Sequence, residues 1–578
     1  MNKTELAEQH NWAQDLIFKT KVTLLIGKRF LMNMRSPVRK FSRSNHLIHE
    51  PVIAVSESEL WNSSDNMKNR ILTAGKIENL RIAAKALNGI EVKADEVFSF
   101  WKHLGNPNWG KGYVIGREVR EGCIIPTKAG GLCQLSNALY DAALKANFEI
   151  VERHRHTQVI KGSLAEKNRD ATVKWNYVDL KFKSVFDFRI EVELTSNELI
   201  VSYKSTQKNT KKSESQNGHK QNYDKVNDCY SCGNLSCFKN EDQKKTKSNQ
   251  KITTFILDEK WPEFDDYVTA IARNSDCIIT PIKRFNWIKT NRYAWSILDS
   301  HTPKSVDFYG LYRIIKLRQA VKRNQNIFEK SLELDGKVAK AISKQIPVET
   351  THVIVSQNLL PFIYETGVLG GRTFDVLMTR FPIRDLQERL DHVYERYPQS
   401  PTLKDFRADQ RVQDLESKAI LKSEKIITPH LEIAEMFKNR AELLDWKIPE
   451  YKENTPMGNK VLFPASMVGR KGAYEMRRLN KELDLNLAVL GGAIEEDGFW
   501  GNQKQERFEG NFDEVMVVVY PTYVEHQPRQ ILRAISKGIP VVITKACGLE
   551  ESDLVTIVDM GDYDSLKREV RRILHTMG

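Results

Sequence analysis

One short stretch of the sequence places a thiol at the expected start of a helix. Cys133 follows Gly130 and Gly131, and leucine and alanine then recur at a spacing that buries one helical face. The free N–H groups and positive dipole end of a first helical turn stabilise a thiolate and lower its pKa. Cys133 is therefore a candidate nucleophile. The plainer alternative is a small cysteine that only packs in the core.

Possible partners for this thiol follow within forty residues. In the segment EIVERHRHT, a β-strand would project His154 and His156 from the same face. Asp170, in RDATVKWNY, could orient one imidazole. A thiol, an imidazole and a carboxylate are the parts of an activated cysteine nucleophile. Two histidines on a half-exposed strand more often only satisfy hydrogen bonds, so both interpretations stay open.

A second cysteine group suggests a metal. Cys229, Cys232 and Cys237 lie in CYSCGNLSC, which accounts for three of the seven cysteines. A Cys-x-x-Cys turn followed by glycine presents two thiolates to one ion, so the sequence predicts a zinc site or, less favoured, an iron–sulfur cluster. No fourth ligand is obvious, and the alternative is an exposed, redox-labile linker.

The C-terminal part carries loops suited to a phosphorylated ligand. Glycines, two cations and a helix start can hold a diphosphate, and one loop combines them as Gly469, Arg470, Lys471 and Gly472. Glu525 follows another expected strand, and Gly491 and Gly492 end a third. In α/β sheets ligands bind at these carboxyl ends. An ordinary basic surface turn is the simpler interpretation of the first loop alone.

Composition shifts divide the chain into five segments. The boundaries are expected at 1–69 (a basic extension), 70–205 (α+β), 206–251 (a Lys/Ser-rich linker holding the cysteine group), 252–455 and 456–578. The last two repeat short apolar strands followed by helices, which is typical of doubly wound, Rossmann-like α/β domains. The linker is too polar to offset its ordering entropy by burial.

The totals exclude several classes of protein. With 578 residues, 40% of them hydrophobic, the chain is a multidomain globular protein, and seven cysteines do not form a disulfide scaffold. The polar N-terminus is unlike a signal peptide, so a cytoplasmic location is expected. The net charge of +13 is concentrated in the first 45 residues and the linker, without a nucleic-acid-binding motif. Peripheral contact of the N-terminal segment with anionic lipid stays open.

Residues 70–205 resemble a known family. KIENLRIAAKALNGIEVKADEVFSFWKHLG, GGLCQLSNALYDAALKANFEIVERHRHT and DATVKWNYVDLKFKS together, in order, look like the VanW domain. The usual family form has a third glycine before the cysteine and Ser-Thr-Thr after the glutamine. Here Ala129 and the pair Ser136 and Asn137 stand instead. The resemblance implies a domain but no established biochemistry.

The order of strands, loops and helices in the C-terminal region resembles GT-B type retaining glycosyltransferases of the glycogen-synthase-like group, over roughly 455–578 and with a vaguer match over 252–450. The resemblance implies a nucleotide-sugar donor, with Arg470 and Lys471 at its phosphates and a Glu-x7-Glu pair at its sugar and ribose. Glu525 matches the first glutamate, but Arg533 replaces the second.

The leading hypothesis is thus a glycosyltransferase that carries a VanW-like domain and moves a sugar to a cell-envelope or surface-glycan acceptor, either a glycan or a lipid-linked molecule. The alternatives are a non-catalytic glycan- or nucleotide-binding scaffold and a cysteine enzyme centred on Cys133.

Overall fold

The computed structural model describes residues 12–35, 38–61, 67–107, 110–120, 123–156, 164, 167–207, 251–283, 291–323, 325–450 and 458–577. The chain divides into two compact units. The first comprises Met1–Ile252, Pro347–Thr351 and Gly367–Arg372, and the second comprises Thr253–Ile346, His352–Thr366 and Thr373–Gly578. None of the described helices is both long and apolar enough to span a bilayer.

The first unit mixes helices with antiparallel strands. In chain order its elements are α1 (Trp12–Arg35), β1 (Val52–Glu59), α2 (Met67–Leu87), β2 (Ile90–Val92), β3 (Val97–Ser99), α3 (Phe100–Leu104), β4 (Ile115–Arg120), β5 (Cys123–Lys128), α4 (Leu132–Lys145), β6 (Glu149–Glu152), β7 (Lys181–Lys183), β8 (Phe188–Leu194) and β9 (Glu198–Lys204). The strands form a sheet of order β1-β9-β8-β2, a sheet of order β3-β7-β6 and the hairpin β4-β5.

The core of this unit lies where α2 and α4 cover the larger antiparallel sheet. The alternation in β8 and β9 buries Phe188, Ile190 and Val201, and the helical spacing in α2 buries Ile77 and Leu80. The period of each segment thus decides which side chains reach the core.

The second unit is built on parallel sheets. Its elements are β10 (Thr253–Ile256), α5 (Pro262–Ile271), β11 (Cys277–Thr280), β12 (Lys304–Ser305), α6 (Asp307–Lys322), α7 (Ile327–Ile342), β13 (His352–Ser356), α8 (Leu360–Glu365), β14 (Thr373–Leu377), α9 (Ile383–Arg396), α10 (Gln410–Lys422), β15 (Ile426–Thr428), α11 (Leu431–Met436), β16 (Ala441–Leu443), β17 (Lys460–Phe463), α12 (Ala473–Leu483), β18 (Leu487–Val489), β19 (Glu506–Arg507), β20 (Val515–Tyr520), α13 (Arg529–Ile535), β21 (Val541–Thr544), β22 (Val555–Val558) and α14 (Tyr563–Met577).

These strands form two sheets. A seven-stranded sheet has the order β12-β11-β10-β13-β14-β15-β16, and a six-stranded sheet has the order β19-β18-β17-β20-β21-β22. Every pairing in both sheets is parallel. Central strands such as β13 and β21 are buried along their whole length, which explains their unbroken apolar runs. The predicted fold class, an α+β region followed by parallel α/β domains, is confirmed.

One predicted strand is shorter than expected. The segment that begins at Glu149 leaves its sheet after Glu152, before both histidines. Its backbone pairs instead with the chain around Asp170, since Thr172 N–H donates to the His154 carbonyl over 2.9 Å. The alternation of a strand therefore does not set the directions of His154 and His156.

Candidate functional sites

Close backbone packing fixes the start of α4. Gly131 has φ +100°, which favours glycine, and a Cβ there would lie 2.1 Å from the Lys76 side chain. A Cβ on Gly130 would lie 2.6 Å from the carbonyl oxygen of Gly116. The two glycines thus allow α2 and β4 to pack against the first turn of α4, where Cys133 lies.

Cys133, His156 and Asp170 lie together in the first unit. The Cys133 Sγ lies 3.7 Å from Thr172 Oγ1 and 3.8 Å from the Val173 carbonyl oxygen, and the His156 imidazole is near enough to interact with the thiol electrostatically. Nδ1 of His156 lies 2.5 Å from Oδ1 of Asp170, and the His156 backbone N–H donates to Oδ2 over 2.5 Å. Asp170 is buried and Cys133 is half-buried. The three side chains form a thiol–imidazole–carboxylate series.

The electrostatics of this series favour an ion pair. Burial alone would raise the pKa of Cys133, but the hydrogen bond and positive charge of His156, with a further contact from Thr172, lower it below its usual value. Burial would lower the pKa of His156, but its hydrogen bonds to Asp170 and Cys133 raise it to about 10. Near neutral pH the imidazole is therefore protonated, and a thiolate is stabilised beside it.

The α4 helix also holds the segment that carries Asp170. Ser136 Oγ donates to the Ala171 carbonyl over 2.5 Å, and Ala171 N–H donates to Oδ1 of Asn137 over 2.7 Å. Arg153 Nε donates to the Asp170 carbonyl over 2.7 Å. Ser136 and Asn137 are thus positioning residues, which sequence reasoning missed; their departure from the usual Ser-Thr-Thr run was the available signal.

His154 is not part of this cluster. Its ring is largely exposed, and its Nε2 lies 3.2 Å from Oε1 of Glu152. The structure therefore brings one of the two candidate histidines to the thiol and leaves the other at the surface.

In the second unit, Glu525 and Lys471 are in direct contact. Glu525 follows β20, and its Oε2 lies 2.8 Å from Lys471 Nζ and accepts from Tyr520 OH over 2.5 Å. Its Oε1 accepts from the backbone N–H groups of His526 and Gln527 over 2.9 and 2.8 Å. Burial would raise the pKa of Glu525, but the charge and hydrogen bond of Lys471 and the Tyr520 hydroxyl lower it to about 2. The carboxylate is therefore ionised across the neutral range.

The other cation of the loop points elsewhere. Arg470 Nη1 lies 3.2 Å from Oδ2 of Asp405, and the guanidinium lies 5.1 Å from the centroid of the Phe406 ring. Gly469 N–H donates to the buried Glu495 carboxylate and to Thr402 Oγ1. The loop is thus held by side chains from both parallel-sheet regions rather than lying open.

The remaining predicted ligand-binding residues are spread over this region. Gly491 and Gly492 follow β18 and lead into Glu495, and a Cβ on Gly492, where φ is +143°, would meet Ser466 Oγ at 2.4 Å. Arg533 is exposed on α13. Two buried polar atoms on the loop and helix after Glu525, His526 Nε2 and Gln530 Oε1, have no hydrogen-bond partner within the described chain.

Two groups of side chains bear on metal binding. Cys229, Cys232 and Cys237 lie outside the described residues, so the zinc or iron–sulfur prediction stays a prediction. His352, Asp375 and Glu424 could each offer a ligand atom within 4.8 Å of the others. However, the His352 ring nitrogens already contact Thr373 Oγ1 at 2.7 Å and Asp375 Oδ2 at 3.2 Å. This second group is explained as a hydrogen-bond network.

Comparison with solved structures finds similar proteins for about half of the chain. Sucrose-phosphate synthase from Thermosynechococcus elongatus aligns with a TM-score of 0.36 and 12% identity over 56% of this chain and 90% of that one. The Anabaena protein HepE, solved in complex with UDP-glucose, aligns with a TM-score of 0.34 and 12% identity over 57% of this chain and 90% of that one.

Comparison with protein families and curated proteins concerns the first unit. The family model described as "VanW like protein" matches residues 75–203. The vancomycin B-type resistance protein VanW of Enterococcus faecalis is 33% identical over 130 residues, which are 22% of this chain and 46% of that protein. The chain thus spans less than half the length of this curated relative. Cys133, His156 and Asp170 all fall within the matched range, and residues 75–203 of the chain are a VanW domain.

Proposed function

We propose that the VanW domain is a cysteine-dependent acyl-transfer or acyl-hydrolysis enzyme. The observation that supports it is the position of His156, whose Nδ1 lies 2.5 Å from Asp170 Oδ1 and whose positive charge lowers the pKa of the Cys133 thiol. Nucleophile, base and orienting carboxylate in contact are the signature of an activated thiol.

In the proposed reaction the Cys133 thiolate attacks the carbonyl carbon of an ester, amide or thioester. A carbon–sulfur bond forms, the bond to the leaving group breaks, and protonated His156 gives its proton to the leaving group. Water or an amine, deprotonated by His156, then attacks the thioester and restores the thiolate. Asp170 holds the imidazole in one orientation throughout. The positive end of the α4 dipole would stabilise the developing oxyanion.

An activated ester tests this proposal without knowledge of the natural acyl group. With p-nitrophenyl acetate we expect a rapid release of nitrophenolate and a single acetyl adduct on Cys133, detected by mass spectrometry of digested protein. The Cys133→Ser variant should lose both signals and His156→Gln should slow them. His154→Gln is the matched control and should behave as the wild type. An adduct that forms equally in His156→Gln would contradict the proposal.

A second candidate function is the transfer of a sugar from a nucleotide sugar by the second unit. Glu525 favours it, because its carboxylate is held ionised at the carboxyl end of a parallel strand, where α/β sheets bind ligands. Its neighbours His526 and Gln530 offer buried polar atoms that a ligand could satisfy. Arg470, Lys471 and the flanking Gly469 and Gly472 would meet the diphosphate, and Gly491, Gly492 and Arg533 would lie toward the rest of the donor. The acceptor would be a cell-envelope or surface glycan, free or lipid-linked.

Paired variants test this second function. Lys471→Ala should weaken binding of UDP and UDP-glucose alike, whereas Glu525→Ala should weaken only the sugar-bearing ligand, as measured by titration calorimetry. Equal losses in both variants would mean that Glu525 does not contact the sugar. We place the chain in the cytoplasm, where the Cys133 thiol would stay reduced.

A further inference from the structure

The first unit contains a cavity on the side of α2 that carries Ile82, Lys85 and Ala86. Its volume is about 430 Å³, within the range of small-molecule sites. Part of the lining is apolar or aromatic: Phe41, Ile82, Ala86, Ile90, Leu104 and Tyr113. The rest is cationic, from Lys40, Arg43, Lys85 and Lys111, together with His103.

The wall that carries two of the cations is rigidly attached. Phe41 N–H donates to His103 Nε2 over 3.0 Å, and the two rings stack with centroids 5.6 Å apart. Ser44 N–H donates to the Gly89 carbonyl over 3.1 Å, and Arg43 pairs with Ile90 as an antiparallel bridge. Lys40 and Arg43 are therefore presented by backbone that is anchored on both sides.

His103 does not add to the positive charge. Its Nδ1 lies 2.8 Å from the Ser99 carbonyl, so Nδ1 carries the proton and Nε2 accepts from Phe41. Burial, more than any neighbouring charge, lowers the pKa of this ring. His103 therefore acts as a neutral support for the wall.

The cavity has cations without matching anions. None of the described residues that line it is acidic, and the described part of the chain gives Lys40, Arg43, Lys85 and Lys111 no carboxylate partner. Elsewhere in this unit cations are matched: Lys93 pairs with Asp187 and Lys145 with Asp141. Burial first, and then the charge of Lys40, lower the pKa of Lys111, and a bound anion would offset both effects.

We propose that this cavity binds a phosphate group carried on an apolar or aromatic moiety. The cations at the rim would hold the phosphate oxygens through charge-assisted hydrogen bonds. The apolar floor, with Phe41, Leu104 and Tyr113, would cover the rest of the ligand. Cys133 does not line this cavity, so the proposed phosphate binding is independent of the proposed acyl transfer.

Calorimetric titration of the full chain with inorganic phosphate and with phenyl phosphate tests both halves of the site. Phenyl phosphate should bind more tightly, because its ring reaches the apolar floor. The Lys40→Ala/Arg43→Ala variant should lose at least about 10-fold in affinity for phenyl phosphate, as expected for lost hydrogen bonds to a charged group. The control Lys93→Ala/Lys145→Ala removes the same net charge outside the cavity and should bind as the wild type. Equal losses in the two variants, or no binding to wild type, would overturn the proposal.

Vesicles distinguish a soluble ligand from a lipid headgroup. The same three proteins, wild type and the two double variants, are sedimented with vesicles of phosphatidylglycerol and phosphatidylcholine or of phosphatidylcholine alone. Phosphatidylglycerol-dependent sedimentation that only the cavity variant loses would assign the phosphate to a lipid. Phenyl phosphate binding without sedimentation would assign it to a soluble molecule. Circular dichroism of the cavity variant should match wild type; if it is misfolded, Lys85→Ala, on the exposed face of α2, replaces it in both assays.

Discussion

Cys133 in the first unit and Cys547 in the second differ in burial and in the pKa of their thiols. Cys133 lies half-buried beside a protonated imidazole, which lowers the pKa of its thiol. Cys547 is fully buried, and burial together with the charge of Glu525 raises the pKa of its thiol well above the usual value. The pKa values of the two thiols are therefore shifted in opposite directions. Burial and neighbouring charge, rather than residue type, decide the pKa of each cysteine.

The candidate sites differ in the same way. In the VanW domain the cation His156 lies near the Cys133 thiol, the proposed nucleophile. In the second unit the cations near the expected donor site are already matched by carboxylates: Lys471 by Glu525, and Arg470 by Asp405. A diphosphate would have to compete with these carboxylates for the cations, whereas the positive charge of His156 lowers the pKa of the Cys133 thiol.

The largest expected effect is on alkylation of the two thiols. At pH 7 iodoacetamide should modify Cys133 more than about 1,000-fold faster than Cys547, since each unit of pKa difference changes the thiolate fraction tenfold and Cys547 is also inaccessible. Mass spectrometry of digests from native protein measures both rates. Comparable alkylation rates would contradict the difference in thiol pKa between Cys133 and Cys547. Labelling in denaturant is the control that both cysteine-containing peptides are detected.

The ion pair of the second unit should be important for stability. Lys471→Ala leaves the Glu525 carboxylate buried without its cation and should lower the free energy of unfolding by about 3 kcal/mol. The pKa of Glu525 is lowered to about 2, so its stabilising effect is present above the usual carboxyl pKa and is lost as pH falls toward 2. The deficit of the variant in urea denaturation should therefore shrink in acid.

Lys537→Ala is the matched control for this variant. Lys537 pairs with Asp513 at 3.1 Å, but both side chains are more than a third exposed, so its loss should change the free energy by no more than about 0.5 kcal/mol. A Lys471→Ala variant as stable as this control would show that the buried pair does not stabilise the unit.

A smaller effect on Cys133 alkylation is expected from removing the Asp170 carboxylate of the thiol–imidazole–carboxylate series. Asp170→Asn keeps the size of the side chain but removes the charge that favours protonated His156. Alkylation of Cys133 at pH 7 should slow about 10-fold, the change for one unit of pKa. Asp187→Asn, at an exposed carboxylate paired with Lys93, should not change the rate. An unchanged rate in Asp170→Asn would separate Asp170 from the thiol.

The smallest effect concerns positioning. Asn137→Ala removes the acceptor for the Ala171 N–H group, while Ser136 still holds the Ala171 carbonyl. We expect about a 3-fold slower alkylation of Cys133, within the loss expected for one hydrogen bond. Gln134→Ala is the control, because the Gln134 amide donates to Ser58 and Glu59 instead. Equal rates in the two variants would contradict a positioning role for Asn137.

The sequence predicted the fold better than the sites. Uninterrupted apolar runs identified β13, β20 and β21, and alternation identified the β8–β9 hairpin, because each period follows directly from burial. The place of Cys133 in the first turn of α4 was also predictable from its glycines and leucines. The choice of His156 over His154 was not, because it depends on where β6 ends and on hydrogen bonds to a segment that begins at Asp170. The sequence predicted Lys471 in a loop open to a ligand. Its pairing with Glu525 could not be predicted, because that pairing depends on tertiary contacts.

The central claim, that Cys133 and His156 form a thiolate–imidazolium pair, is tested most directly by the pH dependence of Cys133 alkylation. The rate is measured by residue-resolved mass spectrometry from acid to alkaline pH in wild type, His156→Gln and His154→Gln. In wild type and His154→Gln the rate should stay high as pH falls below the usual thiol pKa, because protonated His156 stabilises the thiolate up to its own pKa of about 10. In His156→Gln the profile should move to higher pH, and the rate at pH 7 should fall about 10-fold or more. Superimposable profiles for wild type and His156→Gln would contradict the account.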